Sequence, residues 1–91
     1  MESLTRTLTI RNPKGLHVRA ATVLATTLKA FEAEVTLAHG DQSANAKSVM
    51  HLLLLTAAQG VTVEATASGP EAREALEAAA HVIEDGFGEG E

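Results

Sequence analysis

Apolar residues along this chain switch between two periods. Leu4, Leu8 and Ile10 alternate with Thr5, Thr7 and Thr9, the period-two pattern of a strand with one buried and one wet face, interrupted by Arg6. The strand ends at Asn12-Pro13-Lys14-Gly15, which is turn chemistry: Pro presets one dihedral and Gly adopts conformations other residues avoid. From His17 to Phe31 the spacing changes. Val18, Ala21, Leu24, Ala25, Leu28 and Phe31 recur at helical intervals and predict an amphipathic helix that starts at or just after His17.

Val35 and Leu37 alternate with Glu34 and Thr36 as a second strand, and His39-Gly40-Asp41-Gln42 supplies a hairpin turn into a weaker third strand over 42–46. Ser48 is a competent N-cap for a short helix through Val49 to Leu54, with Gly60 punctuating the chain after it. Val61, Val63, Ala65 and Ala67 then alternate with Thr62, Glu64 and Thr66 as a fourth strand. Ser68-Gly69-Pro70-Glu71 predicts the start of a third helix whose buried stripe is Ala72, Ala75, Leu76, Ala79 and Ile83, stopped at Gly86. The order βαββαβα, with Thr-rich outer faces on the strands, implies an α+β fold: a four-stranded antiparallel sheet covered on one side by three helices. Residues 1–86 form a single domain in this reading, and 87–91 a flexible acidic tail.

Ninety-one residues suit one core but not two, since a chain of this size buries only about 60% of its unfolded surface. The sequence has no cysteine, which removes disulfides, thiol chemistry and cysteine-ligated metals. Its longest apolar run, Leu52 to Leu55, is far short of the ~20 residues of a membrane span. These features point to a cytoplasmic protein without membrane insertion. A net charge of −5 and only two aromatic residues, Phe31 and Phe87, argue against nucleic-acid binding. The charge is uneven, however. Residues 3–31 carry Arg6, Arg11, Lys14, Arg19 and Lys29 and no acid, whereas 71–91 carry seven acids and Arg73 alone. The N-terminal third is the place to meet an anion, although a basic and an acidic segment can also simply attract each other across a small domain.

His17 falls at the predicted start of the first helix. A helix N-terminus presents unpaired backbone N–H groups and a partial positive charge, so it can hold a phosphoryl group without a dedicated loop. A ring nitrogen placed there serves as a nucleophile, and Arg19 offers a planar fork of donors to phosphoryl oxygens. Taken alone, a His followed two positions later by Arg is weak evidence and reads first as an ordinary surface or capping histidine.

The surrounding motif changes that weighting. Gly15-Leu16-His17-Val18-Arg19-Ala20-Ala21 resembles the active-site pattern Gly-Leu-His-Ala-Arg-Pro-Ala of the HPr family, and it lies between the first strand and the first helix as it does there. Asn45-Ala46-Lys47-Ser48-Val49-Met50 resembles the family's second signature, around a regulatory serine. The resemblance spans about residues 3–85. It implies an HPr-like open-faced β-sandwich and a stoichiometric phosphoryl carrier rather than an enzyme. His17 would be phosphorylated on Nδ1 by Enzyme I, using phosphoenolpyruvate, and would donate to Enzyme IIA domains in sugar uptake. Arg19 would be the supporting cation, with the backbone N–H groups of Val18 and Arg19 completing the cradle. No cofactor or metal is required, and the spacing of His39, His51 and His81 supports no metal site.

Ser48 would be the regulatory phosphorylation site, which brings a serine kinase or phosphatase and a transcriptional regulator into the set of expected partners. Met50 and Leu52 to Leu55 offer more apolar surface than one short helix can turn inward. The family's use of this helix and the first one suggests a docking surface of Val49, Met50, His51, Leu53 and Thr22. Simple core packing is the competing reading. Two residues depart from the family: Ala20 stands where Pro is usual, and His51 where Gly is frequent. Ala20 keeps a second reading open, an HPr-like regulatory module that binds a partner according to its phosphorylation state. A small phosphatase built around Arg19 is a third, but it leaves His17 without a role. Nothing in the sequence requires more than a monomer.

Overall fold

A computed structural model of the chain describes residues 3–88. Its elements are β1 (Ser3–Thr9), α1 (Val18–Leu28), β2 (Glu34–His39), β3 (Gln42–Asn45), α2 (Val49–Leu54), β4 (Thr62–Ser68) and α3 (Ala72–Glu84), followed by a 3-10 turn, Gly86–Gly88. The strands form one antiparallel sheet in the order β1-β4-β2-β3, with β4 bonded to both β1 and β2. The open-faced arrangement expected from the periodicities is the one observed.

Register follows the alternation. Leu8 lies opposite Val63, Leu37 opposite Ala65 and Val35 opposite Ala67, and all six side chains are buried beneath the helices. A slip of one residue would turn this whole set to water. The other face carries Thr5, Thr7, Thr9, Thr36, Thr62 and Thr66, and the hydroxyls of the cross-strand pair Thr5 and Thr66 lie 3.2 Å apart. Among the described residues, twelve of the twenty-five buried apolar residues are alanine. Small side chains let α3 settle closely on the sheet, and they make each larger residue in the core count for more.

Several boundaries differ from the sequence expectation. The first helix ends at Leu28 rather than Phe31, and Val18, expected in the buried stripe, is 61% exposed because it opens the helix above the core. The third helix begins at Ala72, with Glu71, the last residue of the predicted Ser68-Gly69-Pro70-Glu71 start, at the N-cap. Glu71 is held there across the molecule: its amide donates to the Glu32 carbonyl at 3.0 Å, and its carboxylate accepts the Glu32 amide at 2.7 Å. The reciprocal pair moves the helix start past Pro70.

The expected flexible tail is corrected at its first residue. Gly86, at φ 69, ends α3 as anticipated, but Phe87 turns back and buries its ring to 4% exposure. A ring that large has more to gain from the alanine-rich core than from water. Residues 89–91, the rest of that tail, lie outside the described residues. Among the described residues no helix is long and apolar enough to cross a membrane.

Candidate functional site

The segment from Asn12 to His17 is built by a tight turn. The Asn12 carbonyl accepts the Gly15 amide at 3.1 Å, and the buried Asn12 side chain donates from Nδ2 to the Gly15 carbonyl at 2.7 Å. Gly15 takes φ 68, and a Cβ there would stand 2.5 Å from the Ala57 oxygen and 2.9 Å from the Ala58 Cα. No other residue fits both the conformation and the space. Leu16 is buried beside it and donates its amide to the Ala57 carbonyl at 2.8 Å. Gln59 Nε2 donates to the Arg11 carbonyl at 3.0 Å, and the Gly60 amide to the Ile10 carbonyl at 2.8 Å. A loop more than forty residues away therefore braces the segment on both sides.

His17 is the N-cap of α1, in extended backbone conformation (φ −90, ψ −177), with a half-buried side chain that makes no capping bond. Its carbonyl accepts the first helical bond, from Ala21 N–H at 2.8 Å. The amides of Val18, Arg19 and Ala20 consequently have no acceptor within the helix and converge with the dipole on the space in front of it. No acidic residue lies in the first turn to oppose an anion there. Arg19 is exposed in that turn, and Thr22 is exposed one turn on, its hydroxyl donating to the Val18 carbonyl at 2.8 Å.

The second helix runs back toward this end of α1. Lys47, just before it, donates from Nζ to the Phe31 carbonyl beyond the far end of α1 at 2.8 Å, whereas its exit is tied to Leu16 through Ala57. Ser48 is the N-cap, and its hydroxyl accepts the His51 amide at 3.3 Å.

The model of the PTS HPr component phosphorylation site matches residues 4–85, which include this turn, the starts of α1 and α2, and the four strands apart from Ser3. The chain belongs to the HPr family. It is 40% identical over 89 residues to the phosphocarrier protein NPr of Shewanella violacea, covering 98% of each chain. It is 38% identical over 88 residues to the phosphocarrier protein HPr of Neisseria meningitidis serogroup B, covering 97% of this chain and 99% of that one. The crystal structure of HPr-C-His from Thermoanaerobacter tengcongensis superposes with a TM-score of 0.88 at 34% identity, over 98% of both chains.

Within this HPr fold the residues singled out in the sequence fall into two groups. His17, Val18, Arg19 and Thr22 share the opening of α1, and Ser48, Val49, Met50, His51 and Leu53 share α2, which packs against α1. The apolar surface is distributed differently from the expectation. Met50 is 76% exposed, but Val49 and Leu53 are half-buried against the core, and Leu54, at 69%, joins Met50 and Val18 on the surface. Leu54 lies on the end of α2 nearer His17, so it was the residue to add. Its position one turn after Met50 was the available signal. Asn12 is the residue that pattern reading missed, since an Asn before a Pro-x-Gly turn reads as an exposed turn former, and only the fold buries it. Ala20 is 1% exposed, and where the family has Pro it supplies one more backbone N–H to the helix start. Among the described residues no group of three His, Asp or Glu side chains is placed to hold a metal ion.

Proposed function

We propose that this chain is a phosphocarrier of the phosphotransferase system that accepts a phosphoryl group on His17 from Enzyme I and passes it to an Enzyme IIA domain. The observation that carries the reading is the placement of His17 as the N-cap of α1, where the helix start presents N–H groups and the first turn holds no acidic residue. In the accepting step the Nδ1 lone pair of His17 attacks phosphorus and the bond between phosphorus and the donor protein breaks. The displaced donor atom keeps the electron pair. Charge gathered on the three phosphoryl oxygens is met by the backbone N–H groups of Val18 and Arg19 and by the Arg19 guanidinium. Donation is the reverse sequence onto the next protein. Since acceptor and donor steps differ little in the bonds made, the chain returns unchanged and acts as a stoichiometric relay, not as an enzyme.

Val18, Met50 and Leu54 supply an exposed apolar surface flanking the site, with His51 and Thr22 beside it, which suits transient docking of both partners. Ser48 is assigned as the place where a serine kinase would act on this surface.

The test is incubation with Enzyme I and phosphoenolpyruvate, mass analysis of the chain, and a chase with Enzyme IIA domains. An acid-labile phosphoryl group is expected on the parent and none on His17→Ala. Labelling that persists in His17→Ala overturns the assignment. A stable adduct that no Enzyme IIA domain discharges would replace the carrier by the regulatory reading that Ala20 keeps in play.

A further inference from the structure

The chain leaves α2 in a conformation its residue type opposes. Thr56 sits at φ 48, in the left-handed region where a β-branched side chain crowds the backbone and where glycine is the ordinary occupant after a helix. Its amide donates to the Leu53 carbonyl at 3.3 Å, and its hydroxyl to the Leu55 carbonyl at 2.6 Å. That short side-chain bond offsets part of the strain. One residue on, the turn has directed the Ala57 carbonyl at the site segment, where it accepts the Leu16 amide. Leu16 directly precedes His17. The strained residue and the proposed phosphoryl acceptor are thus joined by a single buried hydrogen bond.

We propose that Thr56 is a positioning residue for His17, a latch that holds the loop over 56–60 against the site segment and is biased toward release. The inference rests on the reading of His17 as the phosphoryl acceptor. Its physical basis is an imbalance. Every other backbone region open to threonine is less crowded than φ 48, so opening the loop relieves strain, and the link nearest Thr56 is Leu16 to Ala57. The hydroxyl bond to Leu55 opposes that release. Gln59 and Gly60, which grip Arg11 and Ile10, keep the far end of the loop in place. With the latch closed, Leu16 is fixed and His17 is held in place at the start of α1. With it open, Leu16 and His17 move together while the docking surface on α2 is left intact.

Two substitutions separate the hydroxyl from the branched shape. Thr56→Val keeps the crowding and removes the hydroxyl bond, whereas Thr56→Ser keeps the hydroxyl and relieves crowding. Hydrogen exchange of the Leu16 amide and steady-state phosphorylation of the whole chain by Enzyme I are the measurements. Thr56→Val should speed Leu16 exchange about fivefold and lower kcat several-fold with KM unchanged, and Thr56→Ser should hold both at or better than the parent values. Parent-like Leu16 exchange and kcat in Thr56→Val overturn the proposal. So does faster exchange with kcat unchanged, which would make Thr56 a structural residue only. If the parent itself accepts no phosphoryl group, the carrier reading fails separately, and Leu16 exchange still decides whether Thr56 closes the latch.

Discussion

Replacing Phe87 by alanine should destabilise the domain by about 3 kcal/mol, even though the residue lies four positions from the end of the sequence. Its side chain is 4% exposed and is the bulkiest in a core otherwise rich in alanine, so neighbouring side chains have little reach to refill the space. Phe→Ala in a closed core costs ~3–5 kcal/mol, and the lower end applies because a three-residue 3-10 turn can partly collapse into the void. For a domain of this size the loss is a large share of the total, and it corresponds to a Tm lower by roughly 12–24 °C. A second comparison isolates the backbone. Phe87 has φ 58 and ψ 26, a region that costs a residue with a Cβ about 1 kcal/mol more than glycine. Phe87→Gly should therefore be less damaging than Phe87→Ala by roughly 0.5–1 kcal/mol, the reverse of the order in a helix. Urea unfolding of the three proteins provides the measurement, with the alanine midpoint about 1–3 M below the parent. Midpoints that coincide would mean that Phe87 belongs to a mobile tail. A glycine variant weaker than the alanine one would refute the left-handed geometry.

Arg19→Lys keeps the charge at the start of α1 but loses the planar fork, and phosphorylation of His17 by Enzyme I should slow roughly tenfold with the thermal midpoint unchanged; equal rates would reduce Arg19 to a point charge. Ser48→Ala should cost only about 0.5 kcal/mol in urea unfolding, the low end for an N-cap, because the observed bond to the His51 amide is long at 3.3 Å. Ser48→Asp should stay folded and raise the KM for Enzyme I several-fold, since its charge stands beside exposed Met50 on the proposed docking surface; a parent-like KM would place docking elsewhere.

Local rules carried most of the architecture. Alternating apolar residues and Thr specified three strands and the face each buries, the hairpin turn at His39 to Gln42 implied the remaining one, and apolar spacing specified two long helices. Ser48 and Gly86 marked helix ends as their chemistry requires. These features depend on residues within a turn or two of each other, so a linear pattern contains them. The position of His17 at the mouth of α1, and the absence of acid around it, were legible for the same reason.

What the pattern could not contain were meetings between distant segments. Glu71 caps α3 because Glu32 lies across from it, and Asn12 is buried because the fold closes over its turn. Phe87 enters the core because a left-handed residue points it back, and Leu54 rather than Leu53 faces outward because α2 is anchored at one end by Lys47 to Phe31 and at the other by Ala57 to Leu16. Periodicity tells which residues share a face of an element, but which way that element runs, and what finally covers its ends, is decided by packing and hydrogen bonds between residues far apart in the chain.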